Sequence, residues 1–135
     1  MIRRNVFIGL VLCIVFITCA MLLFNEFKVV SQKEKMQRHQ EDWISFGYKD
    51  NDLRVYFDYL ADFSCIIKEV RYGINDSLPL NLLVIPSCES IKNIKALDLE
   101  LYRTIPPSTK KMSILLRYND NTQSPVSFYN IKIID

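Results

Sequence analysis

Residues 6–24, opened by Val6 and closed by Phe24, contain no charged side chain. As an α-helix this run spans roughly 28 Å at 1.5 Å per residue, close to the ~30 Å hydrocarbon core of a bilayer. Arg3 and Arg4 precede it, and Asn25-Glu26 ends it. Basic residues before the span and none directly after it place a short N-terminus, residues 1–5, in the cytoplasm. Everything from about Asn25 onward is then exported. Two other readings stay open. Thr18-Cys19-Ala20 has the small-x-small spacing of a signal-peptidase site, so the leader could be cleaved after Ala20. Met21-Leu22-Leu23-Phe24 continues the apolar run past that point, and the length favours an uncleaved anchor. Acylation of Cys19 would make a lipoprotein, but Phe16-Ile17-Thr18 is a poor version of the pattern required. Cys13 and Cys19 otherwise read as small apolar residues facing lipid or a partner helix.

Residues 25–46 carry much charge, and neither glycine nor proline interrupts them before Gly47. They read as a helical stalk or linker, with Trp43 as a core or docking residue beyond the bilayer. Residues 47–135 form the exported domain, and its pattern is that of strands. Leu53, Val55, Phe57, Tyr59, Ala61 and Phe63 alternate with Arg54, Tyr56, Asp58, Leu60 and Asp62, as in a half-buried strand. Further strands are expected over 66–74, 80–85, 96–105, 112–118 and 126–134. Asn75-Asp76-Ser77, Pro86, Pro106-Pro107-Ser108 and Asn119-Asp120-Asn121 separate them. Six short strands predict one antiparallel sheet, strongly curled or half-closed into a barrel. The fold class is mainly β with an N-terminal transmembrane helix. The candidate apolar face combines Val55, Phe57, Tyr59, Leu97, Leu99, Leu101, Ile114 and Leu116.

Such a domain has a small core, and two features compensate. Cys65 and Cys88 are the only cysteines in the exported part, and an oxidising compartment favours pairing. The enclosed loop of about 24 residues corresponds to roughly 3.5 kcal/mol in the chain-entropy account. Two buried thiols are the alternative. The second feature is the final strand, which is apolar on both faces. Ser127, Phe128, Tyr129, Ile131 and Ile133 form a candidate partner-pairing strand, because an open sheet edge invites strand addition. An internal position in the sheet would cover the same residues.

Chemistry-bearing motifs are scarce. The single histidine, His39, lies in the polar run of residues 33–42 and reads as an exposed side chain rather than a catalytic base. Asp58 with Asp62, and Asp98 with Glu100, read as solvated surface charge. There are three glycines, no phosphate-cradle, Gly-x-Ser-x-Gly or metal motif, and no expected cofactor. The net charge is +2 without a concentrated basic face, which argues against direct nucleic-acid binding. Binding or scaffolding, not catalysis, is the expectation.

Arg3-Arg4 with residues 6–24, a strand ending in Phe63-Ser64-Cys65, and alternating strands to the C-terminus give a layout that resembles a group of small bacterial inner-membrane accessory proteins. The group comprises the FidL-like proteins and the PsaF/MyfF, ToxS and VtrC partners of ToxR-type membrane-bound transcription regulators. The resemblance implies a periplasmic domain that forms a heterodimer with that of a regulator, stabilises it and protects it from proteolysis. It also implies a joint apolar cavity for a hydrophobic ligand such as a bile salt. A structural or secretion-apparatus subunit of the envelope, acting through the same sheet, is the alternative.

Overall fold

The computed structural model describes residues 2–93 and 101–131. The chain divides into two compact units, Met1–Lys35 and Met36–Asp135. The first unit lies within α1, Ile2–Arg38, which contains one glycine and no proline. The segment Ile8–Arg38 is long and apolar enough to cross a membrane. Its apolar side chains, among them Phe16, Leu23 and Phe24, are exposed, as lipid contact requires. Thr18 donates its hydroxyl back to the carbonyls of Ile14 and Val15, at 3.1 and 2.9 Å. That removes the one side-chain donor in this stretch that hydrocarbon would leave unpaired.

The second unit starts inside the last turn of α1. The helix tightens as the His39 N–H reaches the Met36 carbonyl at 3.2 Å, and a 3-10 turn follows at Gln40–Asp42. The elements then run β1 Ser45–Lys49, β2 Asp52–Tyr56, α2 Asp58–Ala61, β3 Ile67–Ile74, β4 Asn81–Leu83, α3 Cys88–Asn93, β5 Tyr102–Thr104, β6 Lys111–Tyr118 and β7 Ser127–Asn130. They form a three-stranded sheet, β1-β2-β5, and a four-stranded sheet, β4-β3-β6-β7, antiparallel throughout. The β1–β2 hairpin closes through Asp50 and Asn51 at φ 57° and 67°. Two residues of positive φ give the primed turn whose twist suits a tight hairpin.

Two expectations are corrected. The strands belong to two sheets, not to one curled six-stranded sheet, and among the described residues no barrel closes. Within the stalk or linker of residues 25–46, the helix runs to Arg38 and β1 begins at Ser45. The strand expected to run through residue 63 stops at Tyr56. Phe57, Leu60, Ala61 and Ser64 are all buried, a spacing of three and four that belongs to a helical turn. The Leu60 and Ala61 N–H groups accordingly reach back to the Phe57 carbonyl at 3.0 and 3.2 Å.

The core draws on both sheets. Leu53, Val55 and Phe57 come from β2 and its end, Val70 from β3, Leu83 from β4, and Met112, Ile114 and Leu116 from β6. Phe57 meets Tyr72 of β3 with ring centroids 6.3 Å apart. Burial of one such side chain contributes about 1.5–3 kcal/mol. The entry to the domain is packed as well: Trp43 is 1% exposed, and its indole N–H donates to the Met36 carbonyl at 2.9 Å. Cys65, just before β3, and Cys88, at the start of α3, form a disulfide with Cα atoms 4.5 Å apart. It fastens the chain leaving β4 to the chain entering β3.

Candidate functional site

The order of the larger sheet leaves β7 and β4 as its two edges. β7 pairs with β6 through Lys111–Asn130, Met112–Tyr129, Ser113–Phe128 and Ile114–Ser127. Alternation then splits its side chains. Ser127 and Tyr129 turn to the same side as buried Met112 and Ile114. Phe128 turns outward and is 70% exposed, a large aromatic ring left in water.

A groove of about 680 Å³ runs beside this edge. It is lined by the 3-10 turn through Gln40 and Glu41, by Ile44, Ser45 and Phe46 at the start of β1, and by Phe128, Tyr129 and Asn130. β1 is itself the edge of the smaller sheet. The groove therefore lies between two open strand edges, with apolar Ile44, Phe46 and Phe128 set among polar neighbours.

Gln40 fixes β7 against the turn. Its side-chain amide donates to the Ser127 hydroxyl, and its carbonyl accepts the Tyr129 hydroxyl at 2.7 Å. Burial pushes the Tyr129 phenol well above its ordinary range, only partly offset by a hydrogen bond with Ser127. Desolvation is the dominant cause, as for a phenol held against an apolar wall. Beyond the strand, the Ile131 N–H donates to the Lys110 carbonyl at 2.9 Å. The arrangement holds β7 extended at the edge of the four-stranded sheet.

The sequence-predicted residues fall into three groups. Ser127, Phe128, Tyr129 and Ile131 lie at this edge, and Ile133 lies outside the described residues. Val55, Phe57, Ile114 and Leu116 are fully buried and consumed in packing, while Tyr59 and Leu101 are half-buried. Leu97 and Leu99 lie outside the described residues. Val6 and Phe24 lie in α1. Asp58 has a structural task, accepting the Leu101 N–H at 2.9 Å. His39 is exposed, with Nδ1 3.6 Å from Asp42. Among the described residues no group of three or more His, Cys, Asp or Glu is placed to hold a metal ion.

Sequence reasoning passed over two features. One is Gln40, whose role depends on a residue 87 positions away and leaves no local signal. The other is at β4: Leu78, Leu80, Leu82 and Val84 are between 55% and 71% exposed. Apolar residues at every second position were visible there, but a short run between prolines reads equally well as buried.

No family model, no curated protein and no solved structure matches the chain.

Proposed function

We propose that this chain is a membrane-anchored accessory protein, with its N-terminus in the bacterial cytoplasm and its β domain in the periplasm. The domain pairs with that of a membrane-bound transcriptional regulator and stabilises it, without catalysis and without touching DNA. The observation that carries this reading is the open β7 edge, held extended by Gln40 and bearing an outward Phe128. Strand addition there supplies main-chain hydrogen bonds for affinity and an aromatic anchor for specificity. A partner strand would also roof the groove over Ile44, Phe46 and Phe128, giving a shared apolar site for a hydrophobic ligand such as a bile salt. Binding of the folded domains to each other lowers the unfolded population of both by mass action.

Affinity purification of the detergent-solubilised chain tests the reading. The expected companion is a second single-pass protein with a cytoplasmic DNA-binding domain, and its abundance falls when this chain is deleted. Phe128→Asp, restored to the deletion strain, fails to rescue that abundance although the variant itself accumulates normally. A regulator whose level is indifferent to the deletion would sink the proposal.

A further inference from the structure

The groove between β1 and β7 is chemically one-sided. Glu41 is the one charged side chain that lines it among the described residues. It is exposed, and among the described residues its carboxylate has no ion-pair or hydrogen-bond partner. Lys111 stands opposite Asn130 in the β6–β7 register, but its ammonium is paired with Asp76. His39, at the start of the 3-10 turn, lies against Asp42. The groove therefore presents one unneutralised anion, and a cleft concentrates the field of such a charge.

The hydrogen-bonding groups point the same way. The Tyr129 hydroxyl donates to the Gln40 carbonyl at 2.7 Å, and the Gln40 side-chain amide donates to the Ser127 hydroxyl. Those donors are spent within the protein. An ionised carboxylate only accepts, so Glu41 calls for a donor from outside. The walls suit the same occupant. Phe46, Phe128 and Tyr129 line the groove, and Ile44 adds aliphatic surface. An aromatic ring attracts a cation to its face and covers the apolar body that carries it.

We infer that this groove binds a small organic cation, an ammonium on a compact apolar body, with its charged end at Glu41 and its body against Phe46 and Phe128. The inference rests on the reading of the groove as a ligand site and narrows it. The half of the site that this chain supplies favours a cationic ligand over an anion such as a bile salt, whose carboxylate would meet Glu41. The volume of about 680 Å³ falls within the roughly 300–1,000 Å³ of small-molecule clefts. An exposed ion pair contributes up to about fivefold in affinity, and a cation over an exposed ring a similar factor. The expected preference for the cation over a neutral analogue is therefore about tenfold.

The test uses the full chain, isotopically labelled, in nanodiscs of zwitterionic lipid at neutral pH. Phenylbutylamine, phenylbutanol and phenylbutyrate share one apolar body and differ in the charge at its end. Magnetic resonance titration should show the amine shifting the backbone signals of Ile44, Phe46 and Phe128, with an affinity about tenfold above that of the alcohol. The carboxylate should bind weakest. Glu41→Gln should bring the amine down to the level of the alcohol and leave the alcohol unchanged, while Phe128→Ala should weaken both. The inference is overturned if the carboxylate binds as tightly as the amine, or if Glu41→Gln leaves the preference in place. Silence towards all three compounds overturns it too, as do amine shifts confined to the membrane helix, which would mean partition into the bilayer. No regulator is present in this assay. A negative result thus leaves the regulator reading to its own test, and failure of that test leaves this result intact.

Discussion

The two edges of the four-stranded sheet are fastened by different chemistry. β7 is held from one side by polar contacts: Gln40 binds the Ser127 and Tyr129 hydroxyls, and the strand presents a single large apolar side chain to water. β4 is held at both of its ends by stiffer means. Before it, the Ser77–Leu78 backbone lies directly over Gly73, where a Cβ would strike the Ser77 carbonyl and come within 2.7 Å of that of Leu78. After it, Cys88 is tied to Cys65. The difference teaches that exposure alone does not describe an edge. A strand with hydrogen-bonded fastening adjusts to what binds it; one clamped by covalent and steric contacts offers a fixed surface.

The contrast can be broken first at β4. Cys88→Ser removes the clamp behind the strand, and the chain-entropy account puts the loss at about 3.5 kcal/mol. Thermal unfolding should show a midpoint lower by about 15–25 °C than wild type; an unchanged midpoint would mean that the disulfide is not structural. Gly73→Ala attacks the clamp in front. The added methyl must displace two backbone carbonyls, a strain costing about 1–3 kcal/mol, measurable by denaturant titration.

At β7 the effects are smaller and carry a pH signature. Tyr129→Phe loses the hydrogen bonds of the phenol to the Gln40 carbonyl and with Ser127, about 1–2 kcal/mol; the Gln40 carbonyl keeps the Trp43 N–H as a partner at 3.3 Å. The folded state holds the Tyr129 proton more tightly than the unfolded chain, whose phenol titrates near 10.0. Its contribution is therefore complete below that pH and is lost as pH rises toward the higher folded-state value. Wild-type stability should fall above pH 10, and Tyr129→Phe should flatten the fall. Tyr59 and Tyr118, also raised by burial, leave a residual slope. Smallest of all, Phe128→Asp should shift stability by under about 0.5 kcal/mol, as an exposed site does. Chemical denaturation checks this, and it separates loss of binding from loss of fold.

Legibility in the sequence followed the range of the interactions. The apolar N-terminal helix, the Cys65–Cys88 pair, and the strands at β3 and β6 were readable because charge gaps, cysteine arithmetic and alternation are local. The turn at Asn75 was readable too, and its φ of 55° is one that asparagine tolerates. The segment after Phe57 misled, since apolar residues there satisfy a period of two and a helical turn together. Only Phe57, Leu60 and Ala61 are buried deeply enough to choose between them. The division into two sheets was invisible, because β5 joins β2 and not a strand of the larger sheet, a choice made by tertiary packing. The site was half legible: the C-terminal strand could be singled out as apolar on both faces, but edge and interior positions predict the same residues.

Trp43 has a practical consequence. The chain contains one tryptophan, and it lies in the interior with its indole N–H on the last buried residue of the long helix, Met36. Its ultraviolet emission is thus a single-site reporter of the junction where the helix hands over to the β domain. Fraying of the Met36–Trp43 contact would redden the spectrum while leaving the disulfide untouched, so an experimenter can watch it without attaching any label.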